Sequence, residues 1–458
     1  MRLRNRLVAV VAGAALALTA CSSGGGGGGG NDDRSAATDT TCDGKLAKTT
    51  YITAWFHESG AERDTLSKQV KAFNAAQSAV RVKLIPLPEG DYARQIKSAA
   101  ATGNLPDVLD FDGPNLYNYA WSGKLKPIGS CIPKSLTADL LPTIAQQGTY
   151  ARRMWGVGTY DSGLGLYVRR SALRKIGARI PTGPADAWTA AELTGILGKL
   201  RTAGWQRPLD LQTAWAKPGD EWFTYGFAPA IQSAGADLID RTDYRTVDGV
   251  MNSPQAVGAL TTMQGWAKAG LLAANDDKNA FTEGHSPISW VGHWVYDEFS
   301  KAFPGDVTIV PLPDFGRGTV TGMGSWQWGI TADATDGDAA WRFLAFLLKP
   351  AEIHRMTQAN GAIPATRSAV ALSGRYAVGG PEHLYIEQLE DGAAVPRPQT
   401  PAYPAISKAY SIAFASVILD GRPVKSALDA AVRSVEQDLD DHQDYPTAAA
   451  TGPSASSP

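Results

Sequence analysis

Tryptophans beside acids and glycines are the residues in this chain whose types and spacing point to chemistry. Trp55 precedes His57-Glu58-Ser59-Gly60, and Trp222 follows Asp220-Glu221. Trp290 and Trp294 bracket Val291-Gly292-His293, and Trp326 and Trp328 follow Gly322-Met323-Gly324-Ser325. A flat apolar ring next to a carboxylate or amide suits a sugar, which has CH-rich faces and hydroxyl edges. Covalent, redox or metal chemistry finds less support. There is no phosphate-binding G-x-x-x-x-G-K-[ST], no H-E-x-x-H and no G-x-S-x-G. The 6 histidines are scattered, and the nearest pair, His285 and His293, is interrupted by a turn and a strand. No metal or cofactor is expected. Carboxylates are numerous, so folding could assemble a glycosidase pair that spacing along the chain does not reveal.

The elements that must position these side chains alternate. Thr49–Phe56 is β-branched and aromatic and reads as a strand; Val80–Pro86 alternates at period two; Pro106–Phe111 is a third, short strand. Between them, Leu66, Val70, Phe73 and Ala76 mark a helix over Ala61–Ala76, and Tyr92–Thr102 a second, closed by Gly103. Strand–helix–strand alternation predicts an α/β fold with a parallel sheet. Further strands are expected at Gly163–Val168, Pro287–Val291, Asp306–Val310 and Gln327–Thr331. Helices are expected at Trp188–Leu200, Pro254–Ala269, Ala339–Leu348 and Ala405–Leu439, the last broken at Asp420-Gly421-Arg422-Pro423. Several of the tryptophans therefore fall where a strand hands over to a loop, the usual ligand position in open α/β sheets. Trp121, Trp188, Trp205, Trp266 and Trp341 fall on helices or turns and are assigned to packing.

The 458 residues are enough for two or three domains, and 43 Lys+Arg against 45 Asp+Glu argue against a nucleic-acid partner or an anionic membrane surface. The start is different. Arg2, Arg4 and Arg6 precede the uncharged run Leu7–Ala20, too short for a transmembrane helix but suited to a secretory signal. Leu18-Thr19-Ala20-Cys21 resembles a bacterial lipobox, which makes Cys21 the lipidated residue, residues 1–21 a lipoprotein signal peptide and residues 22–47, with seven successive glycines, a flexible tether. The expected location is the extracellular face of the cell membrane, reached through a lipid anchor only. Export makes Cys42 and Cys131 candidates for a disulfide. Residues 444–458 are expected to form a disordered tail.

The order of segments resembles the extracellular solute-binding proteins of ABC sugar importers, the broad maltose-binding-protein-like family. The likeness is carried by Asn104-Leu105-Pro106-Asp107-Val108, Tyr119–Ile128, Gly156–Val168, Phe281-Thr282-Glu283-Gly284, Gly322–Ile330 and Gly361-Ala362-Ile363-Pro364-Ala365, in that order. It departs at Val168 and Ser325, which leaves ligand identity open. The resemblance implies a two-lobed periplasmic-binding-protein-like II fold, non-enzymatic and monomeric, gripping carbohydrate between its lobes for an ABC transporter permease. Lobe I would comprise residues 48–157 plus 312–368, and lobe II residues 158–311 plus 369–443, with crossings near Val157, Pro311 and Pro364–Ser368. Segment by segment, it implies a ligand site of Trp55, His57, Glu58, Asp112, Gly324, Ser325 and Trp326 from lobe I. Lobe II would add Tyr160, Asp161, Glu221, Trp222, Trp294 and Tyr403. Asp112, Asp161 and Glu58 would accept from sugar hydroxyls; Trp222, Trp294, Trp326 and Tyr403 would stack on ring faces. Glu58 also suits a helix start and Asp112 a turn before Gly113-Pro114. Few cations fall near these positions, which argues against anionic ligands. A surface glycosidase or transferase, or the same fold holding a peptide, polyamine or metal chelate, remain the alternatives.

Overall fold

A computed structural model of the protein describes residues 38–46, 48–58 and 60–446. Cys21, its signal segment and most of the expected tether therefore lie outside the described residues, as does the side chain of Glu58.

Two sheets organise the body. The first runs Val80–Pro88, Thr50–Glu58, Val108–Asp112, Trp326–Thr331 and Leu125–Lys126, with Gly156–Val157 also pairing to Trp326–Thr331. Its first three strands are parallel, as strand–helix alternation requires. Trp326–Thr331 enters antiparallel, with Trp326 opposite Asp112, so the sheet is mixed rather than purely parallel. A strand returning from a distant segment is not bound by the crossover that links its neighbours. The second sheet runs Leu209–Asp210, Ile288–Gly292, Leu164–Arg169 and Val307–Val310. Short pairings lie where the chain passes between sheets: Tyr160–Asp161 with Ile363–Pro364, and Thr321–Met323 with Ala394–Pro396.

Local sequence explains where helices begin and end. Thr189 accepts a hydrogen bond from the Glu192 amide to open Ala190–Thr202, and Ser253 does the same for Ala256 ahead of Pro254–Lys268, whose first residue is proline. Tyr403–Ile418 stops before Asp420-Gly421-Arg422-Pro423, and Val424–Asp441 resumes beyond it. In Gly60–Ala76 the residues Leu66, Val70 and Phe73 are buried against Ile52 and Phe56, whereas Ala76 ends the helix exposed.

Cys42 and Cys131 are disulfide-bonded, their Cα atoms 5.3 Å apart. The bond closes a loop spanning 89 residues, worth about 4–5 kcal/mol in the chain-entropy account. At the other end the expected fraying does not begin at residue 444. Tyr445 is buried, its ring 4.8 Å edge-on from Trp121, whose indole N–H donates to the Pro446 carbonyl at 3.1 Å. No described helix is long and apolar enough to cross a membrane.

Candidate functional site

The wall on lobe I is built on His57, near the end of the first strand. Its ring Nδ1 lies 2.6 Å from Asp110 Oδ2 on the neighbouring strand, and its Nε2 lies 3.1 Å from Glu62 Oε2 in the first turn of the following helix. A ring nitrogen facing an ionised carboxylate donates, so with both acids ionised His57 is an imidazolium, although burial also pushes the Asp110 pKa up against the pull of His57. Burial alone would lower its pKa; the charge and hydrogen bond of Asp110, then those of Glu62, outweigh burial and push it up to about 10. The indole of Trp326 stacks on this cation with centroids 3.5 Å apart and planes 6° from parallel. An electron-rich indole over a cation is the strongest of the ring–cation pairs. His57 is only 2% exposed, so its expected place against ligand is corrected: it is the support beneath Trp326. Trp55 is partly buried and packs with Tyr92 and Phe111.

The wall on lobe II is aromatic. Glu221 opens the helix Glu221–Tyr225, and the Trp222 indole N–H donates to the Leu211 carbonyl at 3.1 Å. Trp294 meets Trp222 edge-on at 5.8 Å and 82°, and remains 45% exposed. Its ring folds back over Gly292, where an added Cβ would fall 2.1 Å from the indole. Glycine at that position is what lets the ring lie there. Trp290, by contrast, is fully buried in the core.

Between the walls stands a residue that sequence reasoning missed. Arg397 binds Asp112 through two parallel bonds of 2.7 and 2.8 Å and Glu221 through one of 2.8 Å. It therefore joins an acid at the end of a central strand of the first sheet to an acid on lobe II, and its guanidinium also lies 4.9 Å over the Tyr225 ring. Tyr403 and Ser407 donate their hydroxyl protons to Glu221. Burial, reinforced by Asp112, raises the Glu221 pKa, while Arg397 pulls it back. The Arg397 side chain is 9% exposed, whereas Asp112 and Glu221 are 22% and 33% exposed, so the acids lie to the front and the cation behind. The expectation that cations are scarce here is corrected. The only signal in the sequence is an arginine set between Pro396 and Pro398.

Five other expected ligand contacts are enclosed. Asp161 is fully buried, and its oxygens accept from Thr143 at 2.6 Å, Gln147 at 3.3 Å, the Ser162 amide at 2.8 Å and the Gly324 amide at 3.0 Å. Burial raises its pKa against the pull of these donors. Asp161 is thus a knot between crossing segments rather than a ligand acceptor. Gly324 takes φ +114°, and a Cβ there would meet Gln147 and Arg397 at 3.0 and 3.2 Å, so its role is to let these groups converge. Ser325 is buried and offers its carbonyl to the Gly113 amide at 3.0 Å. Tyr160 is 5% exposed with its hydroxyl 3.2 Å from Glu62, and Tyr403 is 1% exposed; neither presents a ring face for stacking. What the structure brings together is Asp112, Glu221, Trp222, Trp294 and Trp326, with Arg397 added. A separate cavity of about 290 Å³ in lobe II, lined by Arg207, Thr213 and Asn275 among apolar side chains, includes none of these residues. Among the described residues no three His, Cys, Asp or Glu side chains are grouped to hold a metal ion.

Residues 68–377, more than half of the chain, match the bacterial extracellular solute-binding protein family. The chain belongs to that family. Solute-binding proteins of known structure share the fold across nearly the whole body. They include the cyclic α-maltosyl-1,6-maltose binding protein of Arthrobacter globiformis, 23% identical, covering 86% of this chain and 100% of that one with a TM-score of 0.70. The GacH receptor of Streptomyces glaucescens, known unliganded and with acarbose, is 20% identical, covering 86% and 99% with a TM-score of 0.73. Maltose-bound MalE3 of T. maritima is also 20% identical, covering 85% and 100% with a TM-score of 0.73. At these identities the likeness carries the two-lobed fold. An uncharacterized lipoprotein from the oleD 5′ region of Streptomyces antibioticus is 24% identical over 351 residues, 72% of each chain.

Proposed function

We propose that this solute-binding protein is a lipid-anchored receptor on the outer face of the cell membrane that grips a sugar or oligosaccharide between its lobes and hands it to an ABC transporter permease. The observation that carries the reading is that Arg397 joins Asp112, paired with Trp326 in the first sheet, to Glu221, which precedes Trp222 and its edge-on neighbour Trp294, with both carboxylates partly exposed. Rings take the CH faces of a sugar, and charged acceptors bind its hydroxyls at about 1.5–3 kcal/mol each. The maltose- and acarbose-bound relatives of the same fold support a carbohydrate ligand. The Leu18-Thr19-Ala20-Cys21 motif and the lipoprotein relative support the anchor. Ligand touching both lobes favours their closure, and closure presents a new surface to a permease.

A thermal-shift panel of mono- and oligosaccharides tests this. A sugar that binds only the folded protein adds about 2.7 kcal/mol of stability at a hundredfold excess over its Kd. At least one sugar is expected to raise Tm, and Trp294→Ala is expected to abolish the shift. A panel without any shift overturns the reading, as does release of cleavage products from an oligosaccharide, which would make the protein a glycosidase.

A further inference from the structure

We propose that Glu62 is a positioning residue that ties the two aromatic walls to each other, through His57 beneath Trp326 on one side and through Asn360 and His293 beside Trp294 on the other. The inference rests on reading Trp326 and Trp294 as ligand-facing walls, but the link itself is a matter of hydrogen bonds. Glu62 Oε2 receives His57 Nε2–H at 3.1 Å and the Tyr160 hydroxyl at 3.2 Å. Glu62 Oε1 receives Asn360 Nδ2–H at 2.8 Å. Asn360 ends the helix Pro350–Asn360; its side-chain oxygen is taken by the Ala362 amide at 2.9 Å, and its backbone carbonyl faces His293 Nδ1 at 3.1 Å. A nitrogen facing a carbonyl must donate, which fixes the His293 tautomer. His293 follows the strand Ile288–Gly292 of the second sheet, and its ring stands edge-on to Trp294 at 5.3 Å and 84°.

One carboxylate, 13% exposed, thus holds the support of the lobe I wall, the crossing strand Tyr160–Asp161 and the segment carrying the lobe II wall. It can accept all three bonds at once only as an anion in one orientation. Burial acts to neutralise it; the bond and charge of His57, then the bond from Asn360, outweigh burial and lower its pKa. His293, by contrast, is neutral: burial pushes its pKa down to about 4. His293 is thus joined to Glu62 only through Asn360, whose carbonyl takes the His293 ring and whose side chain donates to Glu62.

The test uses the full chain without sugar, so its outcome is independent of which ligand the cleft takes. Trp326 emission is isolated by subtracting Trp326→Phe, and acrylamide quenching of Trp294 by subtracting Trp294→Phe. An imidazolium quenches a stacked indole, so Trp326 emission should rise as His57 loses its proton near pH 10. The groups facing His57 are Asp110, Glu62 and Tyr92, and those acting on His293 are Glu62 and Arg375. Glu62→Gln is expected to lower the Trp326 midpoint by about 1–3 pH units and to increase quenching of Trp294. Asn360→Asp, nearly isosteric, keeps the acceptor for Ala362 but opposes Glu62 with a like charge. It should leave the Trp326 midpoint at or above the wild-type value while also increasing quenching of Trp294. If Glu62→Gln does not fold, Asn360→Asp decides alone. Trp294 quenching unchanged in folded variants overturns the coupling, and a Trp326 midpoint unmoved by Glu62→Gln overturns the positioning role.

Discussion

His57 and Arg397 are each a cation set between two carboxylates, and the surroundings of the two differ in a telling way. Both acids of His57 belong to lobe I: Asp110 on the adjacent strand and Glu62 on the next helix. The acids of Arg397 come from segments 285 and 176 residues away in the chain, one on each lobe. The planar imidazolium matches the indole stacked on it at 6°, and it can lose its proton. The guanidinium cannot, and its fork takes one carboxylate with two bonds while reaching a second. A platform under a ring thus uses a titratable, flat cation, and a bridge between separately folded segments uses a permanent, forked one.

The contrast has measurable consequences. The largest is with pH. The folded pKa of His57, about 10, lies above the ordinary value of 6.5, so its stabilisation is complete below pH 6.5 and is lost as pH rises through about 10. Unfolding free energy should fall by on the order of 3–4 kcal/mol between pH 7 and 10, and His57→Gln should flatten that slope. A wild-type profile that is already flat would remove the imidazolium. Arg397→Met comes next. It leaves Asp112 and Glu221 without their shared cation and should cost about 3 kcal/mol by urea unfolding, the low end for a broken buried pair because both acids are partly exposed. Without Arg397 the Glu221 pKa rises further and adds its own pH dependence, but the loss that His57→Gln removes should still be present in Arg397→Met; its disappearance would mean that the two clusters are one. Asp112→Asn should cost less than Arg397→Met, about 1–3 kcal/mol, and should weaken binding of any sugar found by the Tm panel. The smallest effect is Gly292→Ala, about 1–2 kcal/mol of overpacking as Trp294 is displaced from its strand end. Trp294 emission should shift while the His57 titration stays where it was.

Much of the frame was legible in the sequence because period and punctuation are local. The alternation in Val80–Pro86, the helical spacing of Leu66, Val70 and Phe73 and the break before Pro423 each act within a few residues, and each element formed close to where the pattern placed it. Aromatic residues beside acids and glycines were equally visible; of these, Trp326 pairs with Asp112, and Trp222, after Glu221, meets Trp294. Arg397 was not visible, since its meaning depends on Asp112, 285 residues earlier. Glu62 reads as a surface acid in a first helical turn until His57, Tyr160 and Asn360 are folded onto it. Asp161 and Tyr160 sit at a crossing, but sequence pattern does not say which side of a crossing faces solvent, and both turned inward.

The strand Trp326–Thr331 completes the first sheet from a position beyond the whole of the second. During synthesis, or while threading outward, the chain has made all the strands of the Leu164–Arg169 sheet before residue 326 emerges. Until then Val108–Asp112 has a bare edge, and the loops of longest sequence separation close last. Assembly of the ring-and-acid groove is therefore a late event, and a chain cut short before residue 326 would carry Asp112 without Trp326 or Arg397, unable to form the groove.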